Sequence, residues 1–249
     1  MPPVNASAPE ARDTMPGQKC QTIDDVIAKL TQLEAELAPA GTHDGVIYFN
    51  RLYLEVTKRV KAAVEGDGFF TNPQAIAQLD VIFAGLYFDA LDDLNDGKKA
   101  PRAWQLLFDA RMNADVLAIQ FAVAGMNAHI DHDLSIALVE QWVADTARPR
   151  KPGDLYADYT KINDILGQEI DIAKTELEPR DLQKLDKGDL ARLDDKLSMY
   201  VVADARARAW TTADALWDVR HLPLGRDAVM AEVDLASAAL GSALLTPLF

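Results

Sequence analysis

The amino-acid sequence predicts an all-α protein: a single-domain multi-helix bundle with a buried site between its helices. Three observations carry this. Apolar residues recur at three- and four-residue intervals along most of the chain, no segment sustains the apolar/polar alternation of a half-buried strand, and capping residues or prolines open several of the periodic runs. A chain of 249 residues that is 49% hydrophobic can bury one large core, so residues 21–249 are expected to form one helical domain. Residues 1–20 are rich in proline and small or charged residues and lack an apolar run, which predicts a disordered leader rather than a signal peptide.

Taken in order, the elements announce themselves by punctuation. Thr22, with Asp25 three residues on, can cap a helix whose apolar face is Ile23, Val26, Ile27, Leu30, Leu33 and Leu37, and Pro39 and Gly41 end it. Phe49, Leu52, Tyr53, Val56, Val60 and Val64 mark a second helix up to Gly66. Asn72 ahead of Pro73 supplies a cap and a first-turn proline for a third, with Ile76, Leu79, Phe83, Tyr87 and Leu91 on its stripe and Asp80 interrupting from the side. The polar segment 92–99 ends it, and Pro101 starts a short helix bearing Trp104, Leu107 and Phe108. Gly125 is expected to bend or break the helix entering the central stretch, because glycine costs about 1 kcal/mol against alanine in a helix interior. Residues 148–153 read as a linker, and a long helix then carries Tyr156, Tyr159, Ile162, Asn163 and Leu166 until Pro179 stops it. One helical pattern spans 190–220 and includes Trp210 and Trp217; residues 226–245 make the last helix.

The central stretch, residues 120–138, holds the strongest candidate site. His129, His132 and Asp133 stand at i, i+3 and i+4, so on a helix the first lies beside the other two, with apolar residues on both sides of the trio. A neutral imidazole within reach of a carboxylate can share a proton, the minimum equipment for acid–base catalysis near neutral pH. The catalytic candidates are therefore His129, Asp133, His132 and the nearby Asn127. Tyr53, Tyr87, Trp104 and Trp210 fall on apolar stripes, where core packing is the ordinary role of an aromatic and a pocket wall the sharper one. With Asp80 and Asn163, polar groups at helix positions that face the core, they are the substrate-binding candidates.

Composition excludes some partners. The formal charge of −14 disfavours nucleic acid and anionic membranes, which draw affinity from clustered Lys and Arg. The apolar run at 235–249 is shorter than a bilayer span, and a single cysteine, Cys20, forms no internal disulfide, so a cytoplasmic setting is expected. Oligomeric state leaves no mark in the sequence.

The string Gly125-Met126-Asn127-Ala128-His129-Ile130, followed by His132-Asp133-Leu134, resembles the signature of an uncharacterised, mainly actinobacterial family of all-helical proteins. The likeness extends to Asp44-Gly45, Phe49, Tyr53, Thr57, residues 83–90, Pro101 with Trp104, Asn163 and residues 210–220. It implies one helical domain after the leader and carries no activity.

Three functional classes stay open at this point. The leading expectation is an enzyme of specialised metabolism, a cyclase, lyase or isomerase acting on a small apolar molecule without a cofactor. A metal-dependent hydrolase is the second, since the His-Asp doublet with a further histidine resembles that of metal-dependent phosphohydrolases, with His129, His132 and Asp133 as ligands to Zn or Mg and with Asp44, Asp80, His43 or His221 completing the set. Also metal-dependent is the resemblance of Asp92-Asp93-Leu94-Asn95-Asp96 to the aspartate-rich motif of class I terpene cyclases, with Asn163, Gly167 and Asp171 at the spacing of their second Mg motif. There, Gly167 and Asp171 depart from the family pattern. The third class is a non-catalytic protein that binds a small molecule or a partner.

Overall fold

The computed structural model describes residues 19–38, 44–149, 151, 153–175, 181 and 185–248. These form ten α-helices and one π-helical segment, without a strand. Helix α1 (Ile23–Leu37) opens with the expected capping box: Thr22 Oγ1 accepts from the Asp25 N–H at 3.1 Å, and Asp25 Oδ2 accepts from the Thr22 N–H at 3.0 Å. It lays Val26 and Leu30 on α2 (Val46–Glu65), where Asn50 Nδ2 donates to the Leu30 carbonyl at 2.9 Å. Pro39 and Gly41 fall outside the described residues. Asn72 caps α3 (Pro73–Asn95), its Oδ1 accepting from the Ala75 N–H, and α4 (Arg102–Ala110) buries Trp104, Leu107 and Phe108.

The centre of the fold is one rod built from α5 (Ala118–Asn127), the π segment (Ala128–Asp133) and α6 (Leu134–Ala144). Every residue from Val116 to Ile130 is buried, as befits a helix that is apolar on all sides. Around it stand α7 (Asp154–Thr175), α8 (Lys187–Ser198), α9 (Val202–Asp218) and α10 (Pro223–Leu245). Helices α2, α4 and α10 pack on the first half of the rod, and α3 and α9 on the second.

Three sequence expectations meet a different outcome. Gly125 does not break its helix; α5 runs through it, and a Cβ there would lie 2.3 Å from Phe49 Cγ. The residue is small because α2 and α5 approach closely, and the departure from α-geometry comes three residues later. The pattern over 190–220 is two helices, α8 and α9, because the chain turns at 199–201 to bury Tyr200, whose hydroxyl donates to the Met126 carbonyl at 3.1 Å. Finally, two described helices, α3 and α10, are long and apolar enough to cross a membrane by length and composition alone; 50% of the most apolar window of α3 and 28% of that of α10 are buried in the bundle.

Gly125→Ala should lower stability by about 1–3 kcal/mol, the usual cost of forcing a methyl group into a packed core. Urea unfolding measures this. An unchanged midpoint would show that Phe49 yields freely and that the close approach does not need glycine.

Candidate functional site

The π segment sets the geometry of the site. The Leu134 N–H reaches back to the His129 carbonyl, an i to i+5 bond that widens one turn of the central rod, a feature often found at functional sites. In that turn Asp133 sits between two imidazoles. His129 Nδ1 is 2.9 Å from Asp133 Oδ2, His132 Nδ1 is 2.7 Å from Oδ1, and the Trp104 Nε1–H of α4 donates to Oδ2 at 2.9 Å. All three members of the trio are buried.

Electrostatics divides the trio into unlike parts. Burial pushes the Asp133 carboxyl up, but the hydrogen bonds from His129 and His132 outweigh it and hold the group below the usual carboxylate range. Burial likewise pushes His132 down, and the Asp133 hydrogen bond and charge, with Asp234 beyond, pull it above an ordinary histidine. For His129 burial wins, so its imidazole is neutral. With Nδ1–H directed at a carboxylate, the neutral His129 ring presents an unprotonated Nε2 on its other side.

His129 lines a cavity of about 50 Å³ between α2, α3, the π segment, α7 and α9, room for a few waters or a very small molecule in its present shape. The Phe83 ring, half-buried, stacks on the His129 imidazole with centroids 3.5 Å apart, and Tyr53 meets it edge-on at 4.8 Å. The walls are mainly apolar, from residues such as Val60, Ile76, Leu79 and Leu166. Four polar side chains break them, and each has a buried atom without a hydrogen-bond partner: Tyr53 Oη, Asp80 Oδ2, His129 Nε2 and Arg206 Nε. Desolvation raises the Asp80 carboxyl to about 7 and the Tyr53 hydroxyl well above its ordinary value, so the tyrosine is protonated around neutral pH and Asp80 keeps its proton far above the usual carboxylate range. Helical apolar-in spacing alone explains why Asp80, Phe83 and Tyr87 share one side of α3.

The sequence candidates thus separate into groups. His129, Tyr53 and Asp80 line the cavity; Asp133 and His132 stand behind His129; Trp104 holds Asp133, and Tyr87 stacks on Trp104 with centroids 5.2 Å apart. Asn127 turns to α10, where its Nδ2 donates to the Ser237 carbonyl at 2.8 Å, so it ties the last helix to the rod. Trp210 packs edge-on against Trp142, Tyr156 and Tyr159, and neither it nor Asn163 lines the cavity. Among the described residues no group of three or more His, Cys, Asp or Glu side chains is arranged to hold a metal ion. The donors of the trio are turned on one another, Asp44 is taken by Arg111 Nε at 3.0 Å, His221 is exposed, and His43 lies outside the described residues. Asp92 and Asp96 are exposed at the end of α3, where Lys98 bonds to Asp96 at 2.8 Å. Arg206 escaped the sequence reading, although its signal was present: it falls on the buried stripe of α9 with Val202, Ala209, Trp210 and Ala213.

Residues 23–247 match a family described as a family of unknown function, DUF5995. The chain belongs to this family. Neither the curated proteins nor the solved structures offer a match. The DUF5995 region begins with α1 and ends just beyond α10, so every element that builds the cavity lies within it.

Asp80 generates a pH prediction. Its carboxyl is raised in the folded state, so the folded chain holds a proton that the unfolded chain releases near 3.8. The stability associated with it is complete below 3.8 and is lost as pH rises to about 7. Asp80→Asn should remove this decline. Urea unfolding between acid and neutral pH should therefore show a flatter profile for the variant, and parallel profiles would contradict the buried, proton-holding state of Asp80.

Proposed function

We propose that this DUF5995 protein is an enzyme that moves a proton on a small molecule held beside His129, in the manner of a cyclase, lyase or isomerase of specialised metabolism, in the cytoplasm and without an organic cofactor. The observation that carries the proposal is the state of His129, a residue of the cavity wall: Nδ1 is engaged by Asp133, and the opposite nitrogen is buried without a partner. A general base needs an unprotonated atom held within reach of substrate, and a carboxylate behind the ring fixes its tautomer and stabilises the imidazolium that forms. Asp80, on the facing helix, supplies the complement, since a carboxyl raised to about 7 can return a proton near neutrality. His132 and Trp104 act as positioning residues, because their N–H groups hold the Asp133 carboxylate.

The proposal includes the finer reading of the Gly125–Leu134 string as a family mark in a mainly actinobacterial group. It sets proton transfer ahead of metal-dependent hydrolysis and of Mg-dependent cyclisation. The trio offers its Nδ1 atoms and carboxylate oxygens to one another, and Asp92, Asp93 and Asp96 stand at a helix end, outside the cavity lining.

Proton transfer can be tested before the substrate is identified. The chain is incubated in deuterium oxide with a panel of small ketones, keto acids and unsaturated acids, and exchange of carbon-bound hydrogen is followed by NMR. Wild type should accelerate exchange in at least one compound, and His129→Gln or Asp133→Asn should each lower the rate by about 100-fold or more. The double variant should be little worse than the poorer single one, as expected of groups acting as a unit. Exchange that stays at the wild-type rate in both folded variants, or is absent throughout the panel, would end the assignment.

A further inference from the structure

The one permanently charged side chain on the cavity wall has no part in the proton transfer. Arg206, on α9, is 3% exposed. Its Nη2 donates to the Tyr159 carbonyl at 2.8 Å, and its guanidinium lies 4.0 Å from the centre of the Tyr159 ring. The Tyr159 hydroxyl donates in return to the Arg206 carbonyl at 2.7 Å, so the residue is held in place from two sides. Its Nε, however, has no partner, and no carboxylate among the described residues pairs with it.

This is an unusual charge to leave inside a protein. Arginine remains ionised in proteins, and a buried ion without a counter-ion costs several kcal/mol, so buried charges normally come in pairs. Neighbouring Arg208 is different: it pairs with Asp131 at 2.9 Å on the more exposed side of α9. The other polar groups on the wall do not balance Arg206. His129 and the Tyr53 hydroxyl are neutral, burial resists ionisation of Asp80, and the Asp133 charge is already met by three N–H donors.

We infer that the cavity binds a small organic monocarboxylate, whose carboxylate pairs with the Arg206 guanidinium while its apolar body occupies the space between Phe83, Ile76 and Leu166. Arg206 is the one permanent positive charge among the lining residues, which suits a single negative charge; a phosphate would bring more charge than one guanidinium balances. The cavity of about 50 Å³ keeps the ligand small, and Phe83, a half-buried ring, forms one of its sides. As a statement about substrate the inference rests on the proton-transfer reading, because it anchors the acid at Arg206 and leaves its carbon chain to His129.

The probes are butyrate and benzoate, compared with butyramide and benzamide, which share their shapes without the charge. Binding to the full chain is measured by calorimetry and by ligand-observed NMR at mildly acid pH. Wild type should prefer each carboxylate over its amide by about 10-fold or more, the share expected of a charge-assisted hydrogen bond. Arg206→Met should abolish this preference, and its melting temperature without ligand should equal or exceed that of wild type, since the change removes an unpaired buried charge. If Arg206→Met does not fold, Arg206 supports the fold; Arg206→Lys then decides, since it must retain the preference for carboxylate at lower affinity. Equal binding of acids and amides, no binding of either acid, or an undiminished preference in Arg206→Met would overturn the inference. Its failure is distinct from that of the proton-transfer reading: exchange without carboxylate preference removes the anion site alone, and carboxylate preference without exchange removes the catalytic role alone.

Discussion

The carboxylate of Asp133 is the constraint on which the rest of the site depends. Three N–H groups end on its two oxygens, two from imidazoles of the same widened turn and one from the indole of Trp104 on α4. Each is buried, so removing the acceptor would strand donors at about 1–3 kcal/mol apiece. The bond to Trp104 also fixes the place of α4 against the central rod. A charge that is costly to bury thereby becomes the point around which α4, the π segment and the face of His129 are set.

Several buried polar side chains of the bundle reach for backbone. Gln120 Nε2 donates to the carbonyls of Leu244 and Thr246, Gln141 Nε2 donates to that of Ala75, and Asp158 accepts from the N–H groups of Thr71 and Asn72. These bonds join distant segments. The cavity beside His129 breaks this habit, with four polar side chains whose buried atoms lack partners on one wall system. Elsewhere unpartnered atoms are scattered singly, as at Asn127 Oδ1, Gln141 Oε1 and Asn163 Oδ1, or sit in packed rings, as in Trp142 and Trp210 with centroids 5.2 Å apart. The coincidence of orphaned polar atoms with space is what makes the His129 region the candidate site.

Much of this was legible along the chain, and for identifiable reasons. The trio stood out because two histidines and an aspartate at i, i+3 and i+4 interrupt an apolar run, a local pattern that needs no tertiary information. Asp80 stood out as a charge on an apolar stripe. Asn127 and Asn163 gave the same kind of signal, but the structure turns Asn127 to a carbonyl of α10 and leaves Asn163 off the cavity wall. A buried polar residue announces that it needs a partner, not whether the partner is backbone or ligand. Arg206 was overlooked because arginine ordinarily reaches water from almost any helical position, and only the neighbours of α9 show that it does not.

What the sequence determined by itself is local: helical class, the caps at Thr22 and Asn72, the stripes that face the core, and the nearness of His129 to Asp133 one turn away. These follow from the helical repeat, which relates residues a few positions apart whatever surrounds them. Tertiary structure decided the rest. Trp104 and Asp133 are 29 residues apart, and Asn127 and Ser237 are 110 apart. The meeting of Tyr53, Asp80, His129 and Arg206 around one cavity depends on how four separate elements cross. The same holds for Gly125, whose meaning came from a Phe49 ring on another helix, because glycine in a helix signals a bend or a close approach equally well until its neighbour is known.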